Sequence, residues 1–177
     1  MTPRERVLTA IAHEEPDRVP VDLGGMRSTG IMAVPYACLK KYLGIGEGDI
    51  YVFDTGQQLA LVEEPVLQRY GCDVVPLDLG ALKGWKPYML PEGTPAKICA
   101  DFEMESDGEG GWYHISDGRR VGRMPASSYY FDSTYHPLAE AESISDLEAY
   151  DWGEMSDGDL QFLGNEAKHL YTETDYA

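Results

Sequence analysis

The chain has 177 residues, of which 43% are apolar, so it is long enough to form one domain with a hydrophobic core. Its 31 acidic and 14 basic residues give a formal net charge of −17, which repels nucleic acid and anionic membrane surfaces. No apolar run approaches the ~18 residues of a membrane-spanning helix, and the first residues lack the apolar core of a signal peptide. We therefore expect a cytoplasmic protein that binds neither nucleic acid nor membrane.

The three cysteines, Cys38, Cys72 and Cys99, lie far apart in the sequence and belong to no Cys-x-x-Cys or Cys-x-His pair. This spacing argues against a disulfide framework and against a complete local zinc site. We interpret all three as buried thiols.

The first part of the chain predicts a helix, a buried strand and a second helix. Thr2 can cap a helix whose third residue is Glu5, a capping box. Residues 19–23 form a short apolar run that predicts a strand. Residues 31–43 follow as a helix that ends at Gly44.

A third helical region and a second strand come next. Residues 57–70 are predicted to be helical with a break near Pro65 and an end at Gly71. Residues 73–78 repeat the pattern of the first strand, a short apolar run with an acid at its end. The order helix, strand, helix, helix, strand is typical of parallel α/β folds, whose sites lie at the carboxyl ends of strands.

The remainder changes in character. Residues 83–136 are rich in aromatic residues, glycine and short alternations, which predicts an antiparallel β meander with a hairpin turn at Asp117-Gly118. A capping box at residues 145–148 and a closing helix predict helices again. The apolar face of that helix consists of Leu160, Leu163, Ala167 and Leu170. A third strand is expected to begin near Tyr176.

The candidate substrate-binding residues are Asp22, Gly24, Gly25, Arg27 and Asp78, which lie at or just after the ends of the two predicted strands. Asp22 could orient a ligand or cap the turn at the glycines, which suit a close approach of the backbone. Arg27 could bind a carboxylate or phosphate, or it could form an ion pair with Asp22 or Asp78. No catalytic residue and no metal ligand is assigned.

Several stretches of the chain together resemble the uroporphyrinogen decarboxylase superfamily, and within it the corrinoid-dependent methyltransferases. These stretches are residues 2–8, 13–21, 22–30 and 70–75, and the segment 138–152 also fits. The resemblance implies a distorted TIM (β/α)8 barrel with a deep pocket at the carboxyl ends of its strands. Barrels of this kind need about 250 residues, so we expect the chain to be the N-terminal part of a longer protein.

The resemblance implies one partial domain in three segments. Residues 1–82 would hold helices and the first two barrel strands, 83–136 the inserted antiparallel β meander, and 137–177 helices that lead to the next strand.

The loop after the first strand favours one branch of this superfamily. The decarboxylases carry two arginines there, which receive a substrate with many carboxylates. Arg27 matches the first, but Ile31 stands where the second would be. Loss of one bidentate carboxylate contact, together with the negative charge of the chain, favours the methyltransferases. Asp78 aligns approximately with an acid that contacts pyrrole nitrogens in the decarboxylases, and in a methyltransferase it would hold a polar acceptor or a water.

By the same resemblance, a methyl group would pass between a corrinoid carrier protein and a thiol or folate acceptor. Zinc and a corrinoid are implied for a full-length homologue. The family's zinc ligands lie in later barrel strands, so we expect the 177 residues to bind no cofactor and to be inactive alone. The expected partners are the corrinoid carrier protein or a missing C-terminal half-barrel, a small-molecule methyl acceptor, and a second copy in a homo-oligomer. The alternatives are a decarboxylase of the same superfamily and a non-catalytic half-barrel binding module.

Overall fold

The computed structural model describes residues 1–46, 48–77 and 84–177, which form five α-helices and two β-sheets. The helices are α1 (Pro3–Ile11), α2 (Ala33–Leu43), α3 (Glu64–Tyr70), α4 (Ile144–Ala149) and α5 (Asp157–Glu173). The strands are β1 (Ile31–Met32), β2 (Tyr51–Asp54), β3 (Leu59–Ala60), β4 (Trp85–Met89), β5 (Pro95–Cys99), β6 (Glu103–Ser106), β7 (Trp112–Ser116), β8 (Arg119–Met124) and β9 (Asp132–Ser133). The protein is therefore mixed α/β, and its described residues form no closed barrel.

The first sheet has the strand order β1-β3-β2-β5-β4 and contains one parallel pair, β2 with β5. The second sheet, β6-β7-β8-β9, is an antiparallel meander whose neighbours follow one another in sequence. The main hydrophobic core lies against the first sheet and α2 and α3, and its fully buried members include Tyr36, Val52, Val66 and Ile98.

The meander prediction is confirmed only for its second half. β6 to β9 form it, with Asp117 and Gly118 at positive φ in the hairpin turn. β4 and β5, which were predicted to belong to it, join the first sheet instead, because β5 pairs with β2 in parallel. The capping box predicted at residues 145–148 is wrong by two residues: Ser143 and Asp146 cap α4.

The local end signals of the helices are largely confirmed. At the start of α1, the Thr2 hydroxyl accepts from the Glu5 amide at 3.2 Å, and the Glu5 carboxylate accepts from the Thr2 amide at 2.8 Å. Gly44 and Gly71 end α2 and α3 in the left-handed conformation that glycine adopts without strain. The closing helix α5 also forms, although none of its residues is buried.

The predicted helix over residues 57–70 is confirmed from Glu64 to its end at Gly71, but it is wrong over residues 57–63. Gln58 adopts a φ of 55°, so the chain reverses sharply after β2, and β3 pairs with both β1 and β2. Helix α3 begins only at Glu64, with Pro65 in its first turn, where a missing amide hydrogen costs nothing. Of the three cysteines predicted to be buried, Cys72 is buried, Cys99 is half-buried and Cys38 is exposed.

The segments predicted as the first and second barrel strands are residues 19–23 and 73–78, and their described residues, 19–23 and 73–77, belong to neither sheet. They are extended segments that hydrogen-bond at few positions: the Asp73 amide donates to the Val21 carbonyl at 2.8 Å. The Ala177 amide donates to the Asp73 carbonyl at 2.9 Å, and the Ala177 carbonyl accepts from the Val75 amide at 3.2 Å. Ala177 thus bonds to the residues on either side of Val74, which is the hydrogen-bond pattern of a parallel strand pair. Three extended segments thus lie side by side in the order of the sequence.

Arg4 holds the end of α5 against the start of α1. Its guanidinium donates to the carbonyl oxygens of Leu170, Tyr171, Thr174 and Tyr176 at 2.9–3.1 Å. These carbonyls include some that a helix end leaves without an internal partner. The contact therefore fixes the path by which the chain leaves α5 and enters its last extended segment.

A buried carboxylate, that of Asp73, joins the first two extended segments to α1. It is fully buried and accepts hydrogen bonds from Arg6, from both Nη atoms of Arg18 at 2.7 and 2.9 Å, and from the Val21 amide at 2.8 Å. Arg6 is itself 6% exposed and also donates to both carboxylate oxygens of Asp17, at 2.6 and 2.9 Å. We call Arg6, Asp17, Arg18 and Asp73 the charge cluster.

The charge cluster keeps Asp73 ionised. Burial by itself raises the pKa of this carboxyl, but the hydrogen bonds from Arg18, Val21 and Arg6 outweigh it, and the pKa lies below its ordinary value. A carboxyl whose pKa is lower in the folded state stabilises the fold above the pKa of the unfolded chain, about 3.9. That stabilisation is lost as the pH falls through the folded-state pKa.

Replacement of Asp73 by Asn should lower the free energy of unfolding by about 3 kcal/mol at neutral pH, because two guanidinium groups lose their buried partner. The difference from the native chain should shrink as the pH falls below about 4. Urea unfolding followed by circular dichroism at a series of pH values measures both effects. Asp132→Asn is the matched control, since Asp132 is exposed in β9, and its effect should stay within about 0.5 kcal/mol. Equal stability of the two variants at neutral pH would contradict this account.

Candidate functional site

The loop from Asp22 to Gly30 is tightly organised by its own hydrogen bonds. The Asp22 carboxylate accepts from the Gly25 amide at 2.7 Å, and the Gly24 amide donates to the Thr29 carbonyl at 3.1 Å. A short 3₁₀ turn, Arg27–Thr29, follows and leads into β1. Asp22 thus caps the turn, as one of its two sequence interpretations expects.

Gly24 and Gly25 allow the loop to lie close against neighbouring segments. Gly24 has a φ of 89°, and a Cβ atom there would lie 2.9 Å from the Val62 side chain. A Cβ atom on Gly25 would lie 2.6 Å from Val74 Cγ1 and 2.7 Å from the Asp22 carboxylate. The close approach expected of both glycines is present: Gly24 lies against Val62, and Gly25 packs the loop on the second extended segment at Val74.

Arg27 forms an ion pair with a residue that the sequence did not indicate as its partner. Its Nε atom lies 2.6 Å from Oδ2 of Asp54 at the end of β2. The alternative that paired Arg27 with Asp22 is therefore wrong, and Asp78, its other expected partner, lies outside the described residues. The Arg27 side chain remains 63% exposed.

Asp54 is a rigid partner for this arginine. Only 8% of the residue is exposed, and its second carboxylate oxygen accepts from the Gln57 amide at 2.6 Å. Asp54 thereby caps the turn that follows β2. Residues 51–54 form a short apolar run that ends in an acid, as the run before Asp22 does. This pattern could have identified Asp54 as the end of a strand.

The structure brings four of the five candidate residues together in one loop and adds Asp54 to them. Within the described ranges no hydrogen bond or ion pair joins Asp22 to Arg27, so they act as separate features of the loop. Asp22 fixes the turn, whereas Arg27 presents a charged group to solvent.

A cavity of about 730 Å³ lies beside Asp54, where the two sheets meet. Phe53 and Thr55, which flank Asp54, line it together with Phe102, Glu103, His114, Ser116 and others from the two sheets. His114 packs between the rings of Phe102 and Phe131, with centroid distances of 4.9 and 5.9 Å. Burial lowers the pKa of His114, which Asp101 opposes only partly, so the imidazole is neutral at pH 7.

The described residues do not fit a zinc site. No group of three or more His, Cys, Asp or Glu side chains among residues 1–46, 48–77 and 84–177 is placed to hold a metal ion. Burial raises the pKa of the Cys72 thiol, which disfavours the thiolate that zinc requires.

Among the residues that the structure describes, every helix is too short or too polar to cross a membrane.

Substitution of Gly25 by Ala should lower the free energy of unfolding by about 2 kcal/mol, because the added methyl group overlaps Val74 and Asp22. Thermal or urea unfolding measures the change. Gly164→Ala is the matched control: its Cβ meets open space on α5, and the better helix former should stabilise the protein by about 1 kcal/mol. A neutral or stabilising Gly25→Ala substitution would show that the loop does not pack closely on the second extended segment.

Comparison of the chain with protein-family models, with curated proteins and with solved structures returns no match. Membership of the uroporphyrinogen decarboxylase superfamily therefore stays a prediction from the sequence motifs.

Proposed function

We propose that the chain forms the first part of a barrel of the uroporphyrinogen decarboxylase type that transfers a methyl group between a corrinoid carrier protein and a thiol or folate acceptor. The observation that carries this proposal is the hydrogen bonding of three extended segments side by side at Val21, Asp73 and Ala177, with the parallel pattern around Val74. Strands that follow one another in sequence and lie side by side in parallel are the building plan of (β/α)8 barrels.

The position of the candidate loop supports the same proposal. In such barrels the substrate pocket lies at the carboxyl ends of the strands, in the loops that follow them. The loop with Asp22 and Arg27 comes directly after the first extended segment. Three segments cannot close a barrel, so the remaining walls of the pocket would come from further strands, in the same protein or in a partner chain.

The surroundings of Ile31 favour methyl transfer over decarboxylation. Ile31 occupies the position of the second arginine of the decarboxylases, and it pairs with Ala60 in the first sheet and packs on its core. This position therefore contributes a sheet residue and no second cation. With one guanidinium in the loop and a net charge of −17, a substrate with many carboxylates would be bound poorly.

In this proposal Arg27 would bind one oxyanion of the substrate or acceptor, and Asp22 would keep the loop in shape. Zinc, where the family uses it, lowers the pKa of a thiol acceptor. The described residues do not fit a zinc site, so we assign the activation of the thiol to none of them. We expect the 177 residues alone to be inactive.

Methyl transfer from methylcobalamin to thiol and folate acceptors tests the proposal, with the 177-residue chain and the full translation product of its gene assayed side by side. The full product should turn over and the 177 residues should not. Arg27→Ala in the full product should lower kcat/KM by roughly 10- to 100-fold, the effect of losing a hydrogen bond to a charged group. Arg120→Ala, which removes an exposed arginine paired with Glu105 in the second sheet, should leave kcat/KM unchanged.

Two outcomes would overturn the proposal. Robust turnover by the 177 residues would show that no further pocket walls are needed. Release of carbon dioxide from a porphyrinogen or a simpler carboxylic acid, without methyl transfer, would assign the protein to the decarboxylases.

A further inference from the structure

We propose that Asp54 is a positioning residue that fixes the guanidinium of Arg27 so that its Nη1–Nη2 edge receives a planar carboxylate of the ligand. This inference rests on the proposed function insofar as it takes Arg27 to be a substrate-binding residue. It adds a second residue to the site and names the class of group that the site selects.

Both ends of the arginine side chain are held. At the backbone, the Arg27 carbonyl accepts from the Gly30 amide at 3.2 Å, which closes the 3₁₀ turn. At the head, Nε lies 2.6 Å from Asp54 Oδ2. A long side chain fixed at its base and at its head loses little further conformational entropy when it binds a ligand.

Asp54 can act as an anchor because it is itself held in place. Its Oδ1 accepts from the Gln57 amide at 2.6 Å, so the carboxylate plane cannot rotate freely. The turn that carries Gln57 is fixed in its own way, since Gln58 donates to the Thr55 carbonyl at 2.6 Å and accepts from the Tyr88 hydroxyl at 2.9 Å. The anchor therefore belongs to the rigid first sheet.

The ion pair is closest at Nε. Within residues 1–46, 48–77 and 84–177, Nη1 and Nη2 of Arg27 donate no hydrogen bond, and the side chain is 63% exposed. These two nitrogens present parallel N–H groups whose spacing matches the two oxygens of a carboxylate. A spherical anion cannot use both directions equally well.

Asp54 also offsets the charge of Arg27, so the pair attracts anions in general less than a lone arginine would. The parallel N–H groups of Nη1 and Nη2 then contribute more to anion binding than the net charge of the pair does. The pair should consequently discriminate between a carboxylate and a spherical anion of the same charge, a property that a merely structural ion pair would not confer.

Titration of the 177-residue chain with acetate and with chloride at constant ionic strength tests this assignment. The Arg27 Nε–H resonance in a ¹H–¹⁵N spectrum is the probe, assigned by its loss in Arg27→Lys. In the native chain acetate should bind about fivefold more tightly than chloride, the worth of one additional hydrogen bond. In Asp54→Ala the ratio should fall to about one, because the guanidinium can turn.

Asp54→Asn is the matched variant, since it keeps the shape and an acceptor for Nε but removes the charge. It should bind both anions more tightly and keep most of the acetate preference. Amide spectra of each variant verify that the fold is intact. An unchanged acetate-to-chloride ratio in Asp54→Ala, or no acetate preference in the native chain, would overturn the assignment.

The result is separable from the test of the proposed function. A chain that prefers acetate, while the full translation product transfers no methyl group, overturns methyl transfer and leaves the assignment of Asp54 in place. Methyl transfer without an acetate preference overturns the role of Asp54 alone.

Discussion

The buried Asp73 carboxylate is the constraint around which the rest of the structure is arranged. A carboxylate without water is costly unless it is ionised against positive partners and fully hydrogen-bonded. Arg6 and Arg18 supply the partners and Asp17 balances the second positive charge, so the charge cluster is neutral as a whole. Because Arg6 comes from α1 and Arg18 from the segment before Val21, these contacts can be made in only one relative placement of the elements.

That placement determines where the candidate site lies. With Val21 held beside Asp73, the loop that begins at Asp22 must follow the first extended segment and pack on the second, where Gly25 meets Val74. The same loop then reaches β2 through the Arg27–Asp54 pair. The charge cluster holds one end of the first segment, and the Arg27–Asp54 pair holds the loop at its other end. Together they orient the exposed guanidinium of Arg27. In the proposed barrel this group would form part of the first wall of the pocket.

Features that depend on neighbouring residues could be predicted from the sequence. The capping box of α1, the glycines after α2 and α3, and the turn at Asp117-Gly118 need only a few adjacent residues. Features that depend on distant partners could not. The helical pattern over residues 57–70 gives way to β3 because Leu59 and Ala60 find partners in β1 and β2. Arg6 is buried on a helix whose apolar Leu8 and Ile11 are exposed, because its partner Asp73 lies 67 residues later.

The candidate site follows the same rule. Asp22 and its glycines could be identified because they interact within one loop. The partner of Arg27 could not, since Asp54 becomes a neighbour only when β2 is recognised as a strand. Asp78 lies outside the described residues, and its role as a substrate-binding acid stays a prediction.

The central claim is that three extended segments lie side by side in the order of the sequence, with the second and third in parallel and the charge cluster joining the first two. Scalar couplings across hydrogen bonds in the ¹⁵N,¹³C-labelled chain test it most directly. The account predicts couplings from the Asp73 amide to the Val21 carbonyl, from the Ala177 amide to the Asp73 carbonyl, and from the Val75 amide to the Ala177 carbonyl, with slow exchange of all three amides. Rapid exchange of these amides and no such couplings, in a chain whose two sheets are otherwise intact, would contradict it.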